Sequence, residues 1–162
     1  MSEAILLSGG MDSIALAYWK RPTMAITLDY GQLAAEAEIE ASTALARELG
    51  MDHHIIRVEL RTLGSGDMAG TDADRYAPAS DWWPYRNQML VTLAAMKAVP
   101  IGVKHLMLGT VTTDQTHRDG TVVFIDKLDA LLACQEGKLR VTAPAIDMST
   151  VKLILTAKAP RS

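Results

Sequence analysis

A short glycine-rich segment at residues 8–13 (Ser-Gly-Gly-Met-Asp-Ser) follows directly on an apolar run at residues 4–7. A second apolar stretch with helical spacing begins at Ile14. This order predicts a buried strand, a tight turn and a helix. Glycine lets the backbone approach a ligand closely, and the first N–H groups of a helix have no partner within the helix. The turn is therefore expected to bind an anion, most naturally a phosphate.

The residues inside this turn exclude two common kinds of phosphate-binding loop. A Walker A loop needs a lysine beside a serine or threonine, and a dinucleotide fingerprint needs a third glycine, but the turn has neither. Asp12 instead places a carboxylate beside the anion, which predicts that Mg²⁺ lies between the two. The alternative is a plain strand–helix turn capped by serine or aspartate. The nucleotide-binding interpretation rests on Ser8, Gly9, Gly10, Met11, Asp12 and Ser13.

Apolar strands and amphipathic helices alternate along the whole chain. We predict strands at 4–7, 23–28, 54–58, 105–108 and 139–142. Further helices are predicted at 33–49, 86–98, 121–135 and 149–159. This alternation predicts an α/β fold with a doubly wound, Rossmann-like parallel sheet of five strands and helices on both faces. The 162 residues are expected to form a single domain, residues 1–162, with a long loop or lid at 60–84.

Ligands of such sheets bind beyond the carboxyl ends of the strands. That rule brings three segments to one rim: the glycine-rich turn, residues 29–32 and the polar cluster at 109–119. Arg86 is expected near the start of a helix, where the helix dipole disfavours a cation, so an anionic ligand is predicted beside it.

Composition excludes several classes of protein. The net charge of −3 offers no basic field for nucleic acid, so no direct nucleic-acid binding is expected. No apolar run has the length of a membrane span or of a signal peptide's core, which predicts no membrane association and a cytoplasmic location. The single cysteine, Cys134, excludes an internal disulfide and a multi-cysteine metal site, and it is expected to be an inert core residue. His53 and His54 are expected to face solvent.

Four stretches carry a resemblance to a known family. Beyond SGGMDS, the chain contains LDYGQ at 28–32, PYRNQMLVTLAA at 84–95 and APAIDMSTVKLI at 143–154. In this order the stretches resemble the 7-cyano-7-deazaguanine (preQ0) synthase family of PP-loop ATP pyrophosphatases. The resemblance implies an ATP-dependent ligase of queuosine biosynthesis that adenylates 7-carboxy-7-deazaguanine and releases pyrophosphate. Ammonia then displaces AMP to give an amide, and a second ATP converts the amide to the nitrile.

The same resemblance implies roles for individual residues. The glycine-rich turn would hold the pyrophosphate, with Asp12 as the Mg²⁺ ligand. The nucleotide would be bordered by Asp29, Tyr30, Gly31 and Gln32. Catalytic roles fall on Asp12, Arg86, Asn87 and Asp114. The deazapurine would be bound by Arg86, Asn87, Gly109, Thr110, Asp114, His117 and Asp119.

Further implications concern metal, assembly and the acceptor. The family binds Zn²⁺ through clustered cysteines in a tail beyond the last helix, and those cysteines are not in this chain. The family's dimers imply a homo-oligomer here. Residues 115–120 differ from the family's substrate loop, which leaves open a related adenylating enzyme that joins a deazaguanine or another group to a macromolecule. A non-catalytic ATP-binding module and a generic α/β domain also remain possible. Trp82 and Trp83 are expected to pack or to form part of the lid, with stacking on a purine as the second possibility.

Overall fold

Five parallel strands form one sheet in a computed structural model that describes residues 2–77 and 82–160. Their order across the sheet is β3-β2-β1-β4-β5. The strands are β1 (Glu3–Leu6), β2 (Met24–Asp29), β3 (Asp52–Arg57), β4 (His105–Met107) and β5 (Arg140–Thr142). The order reverses direction at β1, because β2 lies on one side of it and β4 on the other. The predicted doubly wound sheet is confirmed, and the carboxyl end of β1 is its topological switch point.

Helices cover both faces of this sheet. They are α1 (Met11–Lys20), α2 (Ala35–Leu49), α3 (Gly66–Ala69), α4 (Arg86–Ala98), α5 (Val122–Ala133) and α6 (Thr150–Ala157). Three short 3₁₀ turns lie at Arg61–Leu63, Thr112–Thr116 and Arg118–Gly120. In the described ranges no helix has both the length and the apolar character needed to cross a membrane.

The central strand β1 is apolar on both sides because each of its faces meets a different pair of helices. Ala4 and Leu6 pack with α4 and α5, whereas Ile5 packs with α1 and α2 on the opposite face. A third cluster joins α1 to α6 through Ala15 and Leu153, both fully buried. These three clusters of packed side chains fix the end of β1 and the start of α1, the two elements that flank the glycine-rich turn.

The buried face of α2 agrees only in part with its apolar spacing. The recurrence of Ala34, Ala37, Ala41, Leu45 and Leu49 predicts one buried face, and Leu45 is buried, but Ala34 and Ala37 are exposed. The other buried residues of α2 are Ala35, Ile39, Ser42 and Ala46. Ser42 is buried because its hydroxyl donates to the carbonyl of Leu7, the residue just before the turn. A buried polar side chain of this kind carries no apolar signal in the sequence.

Two further expectations about single side chains were wrong. His53 is half-buried rather than solvent-facing, because its Nε2 lies 2.7 Å from the hydroxyl of Thr27 on the neighbouring strand. Burial lowers its pKa. Cys134 is exposed rather than part of the core, since α5 ends at Ala133 and the thiol lies beyond the helix on the surface.

The long loop predicted at 60–84 is partly structured, and residues 78–81 of it lie outside the described residues. It contains one 3₁₀ turn and the short helix α3. Trp83 is buried and meets the ring of Tyr30 edge to face, with the centroids 4.9 Å apart. The carbonyl of Met68 accepts a hydrogen bond from the N–H of Leu33. The loop is thereby attached to the carboxyl end of β2, and the prediction that Trp83 packs is confirmed.

Candidate active site

The turn between β1 and α1 is braced by its own two serine hydroxyls. The Ser13 hydroxyl donates to the carbonyl of Gly10 at 3.0 Å and accepts from the N–H of Ser8 at 3.3 Å. The two hydroxyl oxygens also lie 3.3 Å apart. No side chain caps α1, whose first residue is Met11, so its leading N–H groups remain directed into the turn. The arrangement suits an anion with several oxygens.

The two glycines of the turn differ in what they are needed for. Gly9 has φ +77°, and a Cβ there would lie 2.9 Å from the carbonyl oxygen of Glu38. Gly10 has an ordinary extended backbone with φ −76°, and a Cβ there would meet only the Ser8 hydroxyl, at 3.5 Å. Because Gly9 has no side chain, the turn can pack against α2. Because Gly10 has no side chain, the space in front of the first turn of α1 remains open for a ligand.

Asp12 carries a buried carboxylate oxygen, Oδ1, that has no hydrogen-bond partner among residues 2–77 and 82–160. Burial raises the pKa of Asp12, a hydrogen bond with the side chain of Thr150 lowers it, and the nearby charge of Asp114 raises it. An unpaired buried carboxylate oxygen is costly unless a cation or donor meets it. Asp12 and Asp114 together fit Mg²⁺, which binds proteins through one or two carboxylates and takes its remaining ligands from phosphates and water.

Arg86 is the first residue of α4, and its side chain is fixed by Tyr30, the residue that follows β2. Its Nε donates to the hydroxyl of Tyr30 at 2.9 Å, and Tyr30 is almost fully buried. Burial opposes the charge of Arg86, but Tyr30, Glu38 and Asp119 outweigh it and keep its pKa above the usual value. Arg86 thus remains a cation at the rim, in the position where sequence predicts an anionic ligand.

The segment after β2 is a tight turn held by its own side chains. Asp29 accepts from the N–H of Gly31 and pairs with Arg57, while Gly31 itself has φ +94°. The Gln32 amide accepts from the N–H of Tyr30 and donates to Glu38 at 2.9 Å. Asp29, Gly31 and Gln32 therefore build the turn, and Tyr30 is the member that reaches Arg86. Their contact with a nucleotide stays a prediction.

Asp119 takes the place of a capping side chain at the start of α4. Its carboxylate accepts from the N–H of Asn87 at 3.2 Å, and its carbonyl accepts from the Asn87 amide at 2.9 Å. A carboxylate is favoured at a helix N-terminus by the helix dipole. The structure thus brings two predicted substrate-binding residues together, 32 positions apart in the chain.

These elements enclose a cavity of about 240 Å³ at the carboxyl end of β1, termed here the loop cavity. It brings together ten of the predicted site residues: Ser8, Gly10, Met11, Asp12, Ser13, Arg86, Asn87, Gly109, Thr110 and Asp114. The carboxylate of Asp114 accepts a hydrogen bond from the N–H of Val111 at 2.8 Å. A smaller cavity of about 40 Å³ beside it is lined by Tyr30, Glu38 and Arg86. His117 lines neither of these cavities, and its substrate role stays a prediction.

The described part of the chain holds no group of three or more His, Cys, Asp or Glu that could bind a metal ion. A Mg²⁺ ion at Asp12 would therefore depend on phosphate oxygens for most of its ligands, as Mg²⁺ in nucleotide sites commonly does.

Comparison with known proteins identifies the family of this chain. The family model for queuosine biosynthesis protein QueC matches residues 3–160. The chain belongs to the QueC family. Among its relatives named 7-cyano-7-deazaguanine synthase, that of Thiobacillus denitrificans is 33% identical, with 93% of this chain and 74% of the relative covered. Those of Desulforudis audaxviator (32%; 82% and 70% covered) and Lysinibacillus sphaericus (32%; 79% and 63% covered) are similar. The chain spans roughly two thirds of the length of these relatives.

Two residues of this candidate site were missed by the sequence analysis. Thr150 reaches Asp12 from the start of α6, and Glu38 reaches the cavity beside Arg86 from α2. Burial raises the pKa of Glu38, and the hydrogen bond from Gln32 lowers it. Thr150 lies within the quoted stretch at 143–154, which was the available signal, whereas Glu38 resembles any charged residue on an amphipathic helix.

Proposed function

We propose that this chain is an ATP-dependent ligase that converts 7-carboxy-7-deazaguanine to 7-cyano-7-deazaguanine (preQ0), with ammonia as the nitrogen donor. The observation that carries the proposal is the carboxylate of Asp12, which stands in the phosphate turn with an unpartnered buried oxygen. A carboxylate in this place fits a metal-bound pyrophosphate, and the resemblance of the turn to PP-loop ATP pyrophosphatases implies cleavage of ATP between the α and β phosphates. Membership in the QueC family and the relatives' names support the same chemistry.

The turn would bind and stabilise the departing pyrophosphate. The N–H groups at the start of α1 and the hydroxyls of Ser8 and Ser13 supply donors in a fixed arrangement, which lowers the energy of the developing charge. Asp12 and Asp114 would hold Mg²⁺, which when bound neutralises phosphate charge. Thr150 orients the Asp12 carboxylate for this task.

Arg86 would orient the reacting carboxylate and the α-phosphate. Its Nε is engaged by Tyr30, so the guanidinium plane is fixed while its terminal nitrogens carry further donors. Phosphoryl chemistry depends mainly on positioning and charge stabilisation, so a fixed cation at this place contributes both. Asn87 is fixed in turn by Asp119.

A direct test measures the deazapurine product by mass spectrometry. The chain is incubated with ATP, Mg²⁺, ammonium and 7-carboxy-7-deazaguanine, and we expect the mass change from acid to nitrile. Asp12→Ala is the matched inactive control. An adenylated acid that reacts only with another acceptor would instead identify a related adenylating enzyme. ATP binding without any product would identify a binding module and contradict the proposal.

The assembly is a separate proposal. We propose a homodimer, because α6 leaves Val151 and Leu155 exposed one turn apart at 64% and 57%. Apolar side chains clustered on one face mark surfaces that associate.

A further inference from the structure

The cavity of about 40 Å³ beside the loop cavity, termed here the small cavity, differs from the phosphate turn in its chemistry. The two cavities share part of their walls, because four residues line both: Leu6, Ser8, Arg86 and Leu90. One water molecule takes up about 30 Å³ of liquid water, so the small cavity has room for a molecule of one or two heavy atoms but none for a nucleotide base. A molecule bound there lies next to the site where the acid would be adenylated.

The walls of the small cavity are mainly aliphatic. The aliphatic lining residues are Leu6, Leu7, Ile26, Leu28 and Leu90. Glu38 of α2 is the one carboxylate among the described residues that line this cavity. The Gln32 amide donates to its Oε2 at 2.9 Å, and a carboxylate has about four acceptor positions, so Oε1 can accept from a bound molecule. The small cavity therefore suits a small hydrogen-bond donor.

Glu38 and Arg86 have opposite effects on a cation in this cavity. Glu38 attracts the cation, whereas the guanidinium of Arg86, fixed by Tyr30, repels it. Aliphatic surroundings and a neighbouring like charge both lower the pKa of an amine cation. Burial raises the pKa of Glu38, and this effect outweighs the hydrogen bond from Gln32 and the charge of Arg86, which lower it. The pKa of a bound ammonium and that of Glu38 are thereby brought closer together, which favours proton transfer between them.

We propose that the small cavity binds ammonium and that Glu38 is the base that converts it to ammonia, an inference that rests on the proposed function. At pH 7 ammonium is almost fully protonated, like the lysine side chain with its pKa of about 10.4, and it has no lone pair for attack. Glu38 takes one proton, and the lone pair of the resulting ammonia forms a C–N bond with the acyl carbon of the adenylate. The C–O bond to AMP breaks, and AMP leaves with that electron pair. The nitrogen then loses a second proton to solvent, and Glu38 also returns its proton to solvent.

The first experiment measures amide formation by Glu38→Gln at increasing ammonium concentration. Glutamine keeps the shape of the side chain and an oxygen for the Gln32 amide, so the urea midpoint should stay near that of wild type. We expect kcat/KM for ammonium at pH 7 to fall about a hundredfold or more, the usual contribution of a general base. Glu40→Gln, at an exposed position of the same helix, is the matched control and should behave as wild type. An unchanged kcat/KM for ammonium in Glu38→Gln would overturn the inference.

The pH dependence distinguishes loss of a base from loss of structure. The fraction of ammonium present as ammonia rises about tenfold per pH unit below its pKa, so the deficit of Glu38→Gln should shrink from pH 7 to pH 9. The charged groups that face Glu38 are Arg86 and Asp29, with Tyr30 beside them, and the raised pKa values of Arg86 and Tyr30 keep both in one charge state over this range. Hydroxylamine, a much weaker base that is mostly neutral at pH 7, should restore turnover of the variant. A deficit that is constant from pH 7 to pH 9, or that hydroxylamine leaves in place, would overturn the inference.

The second experiment measures adenylation alone, as exchange of labelled pyrophosphate into ATP with 7-carboxy-7-deazaguanine and without ammonium. If Glu38 served only to hold Arg86, Glu38→Gln would slow exchange as much as amide formation, and that result would overturn the inference. We expect amide formation to fall far more than exchange. A wild-type protein without exchange or AMP formation would defeat the proposed reaction and this inference with it. Normal use of ammonium by Glu38→Gln, in an enzyme whose wild type is active, would defeat this inference alone.

Discussion

Single alanine substitutions at Gly9 and Gly10 should separate folding from nucleotide binding. Alanine at Gly9 must adopt φ +77°, which costs a residue with a Cβ about 1–2 kcal/mol. Its Cβ would also lie 2.9 Å from the Glu38 carbonyl, and relieving such crowding costs about 1–3 kcal/mol. Gly9→Ala should therefore lower the free energy of unfolding by about 2–5 kcal/mol.

The Gly10 backbone is already in a region open to any residue, and the nearest atom to a Cβ is the Ser8 hydroxyl at 3.5 Å. Gly10→Ala should change the free energy of unfolding by less than about 1 kcal/mol, with stabilisation through the unfolded chain as the expected direction. Its side chain projects into the loop cavity, so ATP affinity should fall, and Gly10→Val should lower it at least about tenfold.

Urea unfolding and calorimetry measure the two effects. With a slope of about 2 kcal/mol per molar urea, Gly9→Ala should lower the unfolding midpoint by about 1–2.5 M, while Gly10→Ala leaves it near that of wild type. Equal midpoints for the two alanine variants would refute the steric argument. Undiminished ATP binding by Gly10→Val would refute the placement of the phosphate.

Three further predictions concern the contacts of single residues. Asp12→Asn should abolish turnover. Because burial and the charge of Asp114 raise the pKa of Asp12, the wild-type protein loses stability as the pH rises through that raised pKa. The variant should therefore have a higher urea midpoint than wild type at pH 7 and the same midpoint near pH 3. A wild-type pH profile of stability for Asp12→Asn would contradict this. Tyr30→Phe removes the hydroxyl that accepts from Arg86 Nε, so it should lower the free energy of unfolding by about 1–3 kcal/mol and also lower kcat. An unchanged kcat would show that Tyr30 does not position Arg86. Light scattering should give a dimer mass that Leu155→Asp reduces, and a monomeric wild type would exclude the dimer.

The five-stranded parallel sheet and the place of the phosphate turn could be predicted from sequence because the alternation of strands and helices and the glycine-rich turn are local signals, whereas the order of strands across the sheet was not predicted. The run at 4–7 and the glycines after it lie next to each other in the chain, and the start of α4 at Arg86 was predicted to the residue. Parallel topology then places the carboxyl ends of the strands at one rim without knowledge of any side-chain contact.

Contacts between distant residues could not be predicted in the same way. The bond from Arg86 to Tyr30 spans 56 positions, and neither residue carries a local sign of the other. The inward turn of His53 depends on Thr27 in the adjacent strand, and the exposure of Cys134 depends on where α5 ends. Periodicity reports the average face of an element, so it does not show a polar side chain that is buried by one partner.

The nucleotide product tests the central claim most directly. ATP labelled at the α-phosphate is incubated with the chain, Mg²⁺, ammonium and 7-carboxy-7-deazaguanine, and the labelled products are separated by chromatography. Because the turn presents Asp12 where a Walker loop presents lysine, all of the label should appear in AMP, with an equal amount of pyrophosphate released. Label in ADP would contradict the account from the phosphate turn onward.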